Sequence, residues 1–309
     1  MSSGPRKLRW LAAPLALLAA CAPSAADGDG RIDVTVTTTH AADLLRTVGG
    51  GHVDVTALMG PGVDPHLYRA TPGDVRALVD ADLVVHHGLF LEGRLEDVLD
   101  GGGLDRVLTL TDALDRDRLL ASPAYPDQYD PHVWFDPELW VDVVGPVVAE
   151  LSRLDPAHAA DFARGGDEYV AAALDAHAEA QALLAAVPER RRVLVTSHDA
   201  FGYLGRAYGL EVHGVQGLST ADEAGVADIR ALVDLLVDRG VPALFTESSV
   251  SPAGVEAVRE AAADRGWEVR LPETGLYSDA LGAPGTPTGT YAGVLLANAR
   301  TIADALEAP

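Results

Sequence analysis

The stretch from Asp155 to about Val187 constrains the fold most. After Pro156 it runs about 32 residues without another proline until Pro188. Phe162, Tyr169, Ala173, Ala180 and Leu184 lie near one stripe at helical spacing. A single helix of that length would reach about 48 Å, enough to run the length of a domain. Gly165-Gly166 interrupts it, at a cost of about 1 kcal/mol per glycine, and a bend is expected there.

On both sides of this stretch, strand and helix patterns alternate. Before it, "RIDVTVTTT", "HVDVTALM", "DLVVHHG" and "RVLTLTD" are β-branched and read as strands. Between them, Ala41 to Val48 has helical character and ends at Gly49-Gly50-Gly51, and "TPGDVRALVDA" opens with Thr71 as N-cap and Pro72 as first helical residue. After it come the strands "RRVLVTS", "EVHGVQG", "PALFTES" and "EVRLP". The helices there are "FGYLGRAYG", Thr220 to Arg239 with Thr220 and Glu223 spaced as a capping box, Pro252 to Arg265, and Thr290 to Ala308. Strands separated by helices imply parallel sheets. The expected fold class is α/β, with two parallel-sheet lobes on one long helix. The expected segments are 31–154 for the first lobe, 155–187 for the linking helix and 188–309 for the second lobe. The lobes show no close sequence repeat.

The first thirty residues have a different character. Arg6, Lys7 and Arg9 precede the apolar run Leu11 to Ala20. Ten apolar residues fit the core of a secretory signal and fall short of the roughly 20 that cross a bilayer. Leu18-Ala19-Ala20-Cys21 resembles a bacterial lipobox, so residues 1–20 are expected to be a signal peptide and Cys21 to carry lipid. Residues 21–30 are a small, polar tether. The expected location is extracytoplasmic, anchored to the cell membrane. Cys21 is the only cysteine, which rules out a disulfide framework and a thiolate metal site. The chain carries a formal net charge of −23, which disfavours nucleic acid and bare anionic membrane as partners.

Of the ten histidines, most have ordinary readings. His52 follows a glycine turn, His158 and His177 belong to the long helix and its solvated side, and His213 is structural. His86 and His87 end a strand, where packing is favoured over a place in a cleft. The tripeptide Asp-Pro-His is another matter, because it occurs twice, at Asp64-Pro65-His66 and Asp130-Pro131-His132. Asp155-Pro156 shows that Asp-Pro alone can simply start a helix. Neither Asp-Pro-His copy starts a clear amphipathic helix. Each lies on a loop, where proline makes a stiff stub for the histidine. Loops beyond the carboxyl ends of strands are where open α/β sheets bind ligands. His198 ends the first strand of the second lobe, and Asp279 lies in a glycine-flanked turn after its last strand. Three imidazoles and one carboxylate carry about one negative charge and suit Zn²⁺ or Mn²⁺ rather than Ca²⁺ or Mg²⁺. Glu247, also at a strand end, is placed to orient a ligating histidine.

These segments resemble the TroA-like (cluster A-I) metal-binding lipoproteins, the solute-binding proteins of manganese and zinc ABC importers. The resemblance covers nearly all of the chain after the tether. It lies in "LMGPGVDPHLYRATPGDVRALVDADLVV", "DPHVWFDPELW", "RRVLVTSHDAFGYLGRAYGLEV", and "GLYSDALG" followed by "GTYAGVLLANARTIADAL". It implies His66, His132, His198 and Asp279 as metal ligands and a rigid linking helix. It also implies Mn²⁺ or Zn²⁺ as cargo, a membrane permease and a cytoplasmic ATPase as partners, and a monomer without enzymatic activity. Some relatives carry Glu where His198 stands, a pattern that leans to manganese. Dedicated zinc members often carry a His-rich loop before the second ligand, and "TDALDRDRLLASPAYPDQYD" holds no histidine. The turn "TTTHAADLL" departs from the family pattern, which opens a role for His40 as a fifth ligand or as a support for one. Two rival classes stand beside this reading. A secreted zinc hydrolase needs an open metal position and a general base, and the chain has no His-Glu-x-x-His helix. A surface adhesin would bind matrix without metal.

Overall fold

The structure is a computed structural model that describes residues 1, 30–99, 101, 103–122, 127–221 and 225–307. The expected signal segment after Met1, Cys21 and nearly all of the expected tether lie outside the described residues, as does Glu223. Among the described residues no helix is long and apolar enough to cross a membrane.

The first sheet is built from β1 (Ile32–Val36), β2 (Val53–Ala57), β3 (Leu83–His86) and β4 (Val107–Thr109), in the order β2-β1-β3-β4. All three pairings are parallel, with Val34 opposite both Val55 and Leu83. Every residue of β3 is buried, as expected of a parallel strand covered on both faces. Helices α1 (Thr39–Gly49), α2 (Pro72–Asp80) and the short α3 (Glu96–Leu99) connect the strands. Thr38 caps α1 by accepting from Ala41 N, and Thr71 with Asp74 forms a reciprocal capping box on α2. After β4 come α4 (Pro137–Trp140), α5 (Val144–Leu154) and the long α6 (Ala159–Ala185).

The second sheet pairs β5 (Val193–His198) with β6 (Glu211–Gln216), again parallel. The segments "PALFTES" and "EVRLP" extend it only through single parallel bridges, Thr196 to Phe245, Ala243 to Arg270 and Glu247 to Leu276. Pro242 has no N–H to donate, so a full ladder cannot form at its position. The remaining helices are α7 (Gly202–Tyr208), α8 (Val226–Arg239), α9 (Ala253–Asp264) and α10 (Tyr291–Glu307).

Three details correct the sequence reading. The long helix proper starts at Ala159, after a 3₁₀ turn at Pro156–His158 that Asp155 caps. Helix α8 starts at Val226 rather than Thr220, because the Thr220 hydroxyl is bonded to Asp64 instead. Gly165-Gly166 lies inside unbroken helix, and both residues are buried. A Cβ on Gly165 would stand 2.6 Å from Val48 O and 2.7 Å from Thr47 O, and one on Gly166 2.7 Å from Val148 Cγ2. The glycines therefore admit α1 and α5 against α6. A Gly-to-Ala change in a helix ordinarily gains about 1 kcal/mol. Gly165→Ala is expected to reverse that sign and destabilise by about 2 kcal/mol, because backbone carbonyls cannot swing aside. Urea denaturation of the two proteins checks this. A more stable variant would mean the helices are not in such close contact.

Arg31–Pro309 forms one compact unit. Its main apolar core is continuous from Ile32 and Leu44 through Trp140, Phe162 and Tyr169 to Tyr291 and Leu306. A smaller core lies between β5, α8 and α9, around Val195, Leu236 and Val258.

Candidate metal centre

Four segments that are far apart in sequence bring one side chain each to a common point. His66 lies on the loop between β2 and α2, and His132 on the loop before α4. His198 is the last residue of β5, and Asp279 follows the bridge at Leu276. All four are buried. His66 Nε2 stands 3.3 Å from His132 Nε2. Asp279 Oδ1 stands 3.5 Å from His132 Nε2 and 3.4 Å from His198 Nε2. A tetrahedral ion with bonds of 2.0–2.1 Å has ligand-to-ligand edges of about 3.3–3.4 Å. Three of the six separations thus match the edges of such a tetrahedron, and all four atoms lie within 4.8 Å of one another. His198 Nε2 and Asp279 Oδ1 are buried and make no hydrogen bond, and leaving such atoms unpaired is costly unless a ligand takes them.

The opposite faces of these side chains are held by other groups. Asp130 Oδ1 accepts from both the backbone N–H of His132, at 2.9 Å, and its Nδ1, at 2.7 Å. Glu247 does the same for His198, Oε1 accepting from the backbone N–H at 2.8 Å and Oε2 lying 2.6 Å from Nδ1. Each imidazole therefore turns Nε2 inward. Asp64 Oδ1 accepts the backbone N–H of His66 at 2.9 Å. In both copies of Asp-Pro-His, then, the aspartate ties down the N–H two residues on, while proline stiffens the turn between them. The orienting role of Asp130 was missed from sequence. The repeated tripeptide, with its Asx-turn chemistry, was the available signal.

Burial disfavours charge on His66 and lowers its pKa to about 3, so it is neutral near pH 7. For His198, burial also opposes charge, but Glu247 and Asp279 outweigh it and raise the pKa well above the ordinary value. Burial opposes the Asp279 charge too, yet His198, then His66 and His132, hold its carboxyl below the usual range.

The remaining histidines fall outside this cluster. His40 is buried and stacks on Trp134 at 4.7 Å. His87 Nε2 donates to Pro131 O at 2.7 Å and so supports the second Asp-Pro-His loop, while His86 bonds Thr109 Oγ1. His52, Asp155 and His158 meet at a half-buried spot near the start of α6. There the two rings stack face to face at 3.8 Å, with His52 against Asp161 and His158 against Asp155. Parallel stacked rings cannot aim their nitrogens at one ion, so this set is a brace between loop and helix.

A family model described as zinc-uptake complex component A, periplasmic, matches residues 34–305. The manganese-binding lipoprotein MntA of Bacillus subtilis is 43% identical over 281 residues, covering 90% of this chain and 91% of that protein. The zinc-binding protein TroA of Treponema pallidum is 41% identical over 284 residues, covering 91% of each. The solved structure of the periplasmic zinc-binding protein TroA from Treponema pallidum matches with a TM-score of 0.86 at 40% identity, over 90% of this chain and 99% of that one. With its two parallel sheets on a long helix, the chain belongs to the zinc-uptake component A (ZnuA/TroA-like) family, the extracytoplasmic, non-catalytic solute-binding components of ABC metal-ion importers.

Proposed function

We propose that this protein captures Zn²⁺ or Mn²⁺ with His66, His132, His198 and Asp279 and hands it to a membrane permease driven by a cytoplasmic ATPase. The observation that carries the reading is the convergence of four buried donor atoms within 4.8 Å of one another, three of their separations being 3.3–3.5 Å, with the far sides of His132 and His198 tied to carboxylates. On this reading Glu247 and Asp130 orient ligands, Cys21 carries the lipid anchor, and the protein works as a monomer. Residues 31–154 and 188–309 supply two ligands each, on either side of the linking segment 155–187.

Both candidate ions find support. Asp279 offers Oδ1 to the centre while its Oδ2 accepts from Ser249 Oγ at 3.2 Å. A carboxylate ligating through one oxygen, with three imidazoles, suits four-coordinate zinc. The relatives named above include one manganese binder and one zinc binder. Four protein ligands fill a tetrahedron and leave no position for an attacking water, which fits capture rather than hydrolysis.

Calorimetric titration of metal-stripped protein, starting after Cys21, tests the reading. One site per chain is expected for either ion, with Zn²⁺ the tighter. Near pH 7 binding is expected to release about one proton, because His198 must lose its proton before Nε2 can ligate. Repeating the titration in buffers of different ionisation enthalpy counts that proton. If neither ion binds, the ligand assignment fails.

A further inference from the structure

We infer that the hydrogen bond between Asp64 and Thr220 is a latch that sets how fast captured metal leaves. The inference rests on the reading of His66 as a ligand. It starts from a difference between the two Asp-Pro-His loops. In the second, Asp130 Oδ1 serves its own histidine through both the backbone N–H and Nδ1 of His132. That loop is further fixed by Tyr203, whose hydroxyl donates to Asp130 O at 3.0 Å, and by His87 on Pro131 O.

In the first loop the carboxylate is divided. Asp64 Oδ1 holds the backbone N–H of His66, and Oδ2 accepts from the Thr220 hydroxyl at 2.5 Å. Thr220 lies 156 residues further on, in the loop after β6. One carboxylate therefore connects the first ligand loop to the opposite half of the molecule. Nearby, Gly62 has a φ of +73°, and a Cβ there would be 3.3 Å from Ser248 O, so the two halves also touch backbone to backbone.

The position of the latch gives it leverage over exchange. A cavity of about 170 Å³ is lined by His66, Phe90, Tyr129, Leu218 and Ser219, among others. Of the four proposed ligands, His66 borders it, so the cavity reaches the proposed centre on the His66 side. Leu218 and Ser219 belong to the same loop as Thr220. Widening this mouth parts that loop from the first ligand loop, and the Asp64–Thr220 bond breaks as it does. A bond to a carboxylate is among the stronger neutral-donor contacts, so the latch resists the opening that frees His66.

Zinc-loaded protein mixed rapidly with excess chromogenic chelator tests this. Thr220→Val keeps the side-chain shape and removes the donor. Release is expected to be roughly tenfold faster, with one Zn²⁺ still bound per chain. Thr220→Ser keeps the donor and is expected to release at the wild-type rate. Asp64→Ala should release faster than wild type as well. Wild-type release from Thr220→Val would overturn the latch, and so would fast release from Thr220→Ser, which would point to lost methyl packing. In either case the metal site itself would stand, since zinc binding persists. A wild-type protein that binds no Zn²⁺ overturns the latch and the site together.

Discussion

His132→Ala is expected to weaken zinc binding by about a hundredfold to a thousandfold. Four-ligand zinc sites gain about 10–16 kcal/mol, so one ligand accounts for about 3 kcal/mol on an even division. His132 is the best test among the four. It is fully buried, it contacts both His66 and Asp279 at the centre, and its backbone N–H still anchors Asp130 after truncation. The loop therefore keeps its turn while the centre loses a corner. Competition against a chelator of known affinity measures the change. His158→Ala is the matched control, since its half-exposed ring lies in the brace near α6, and its affinity should match wild type. Unchanged affinity in His132→Ala would remove that residue from coordination and leave the two Asp-Pro-His loops without a shared purpose.

Metal-free protein is expected to lose about 3 kcal/mol of stability between pH 7 and pH 5.5. Burial lowers the pKa of His40 and His66 to about 3 and that of His87 to about 4. In the unfolded chain each protonates near pH 6.5. Below that value the unfolded state binds more protons, so stability falls as pH falls. At pH 5.5 each histidine contributes a loss of about 1.4 kcal/mol, and three of them remove much of a typical 5–15 kcal/mol total. His198 has the opposite sign. Its raised pKa gives stability that is full below pH 6.5 and lost as pH rises through the folded value. That contribution is already largely present at pH 6.5, so it offsets only a fraction of the loss. Urea titrations of metal-stripped protein at the two pH values measure the difference. A flat result would mean these imidazoles accept protons without unfolding.

Much of this molecule could be read from residue order because its signals are local. Val34, Val36, Val84 and Val85 mark buried strands, Thr71-Pro72 marks a helix start, and the proposed ligands His66, His132 and His198 sit on proline-stiffened loops or at a strand end. What escaped the reading depends on distance in the chain. Gly165-Gly166 looks like a weak point until Val48 and Val148 are brought against it. Thr220 looks like a helix cap until Asp64 takes its hydroxyl. The carboxylate of Asp130 looks like a mere neighbour of proline until its own histidine folds back onto it. A side chain with two competing uses is decided by the partner that folding delivers, and no local pattern names that partner.

The apolar core that runs unbroken from Ile32 to Leu306 has a consequence for how cargo is recognised. Helix α6 packs against α1, α5 and α10, and Tyr291 near the chain's end donates to Trp134 O at 2.8 Å. Two halves welded in this way cannot swing shut around what they catch. Occupancy is then expected to register in the loops at the rim rather than as a swing of whole halves. Whatever reads the filled state has to discriminate between two nearly identical shapes, so the information passes through local stiffness rather than through a change of outline.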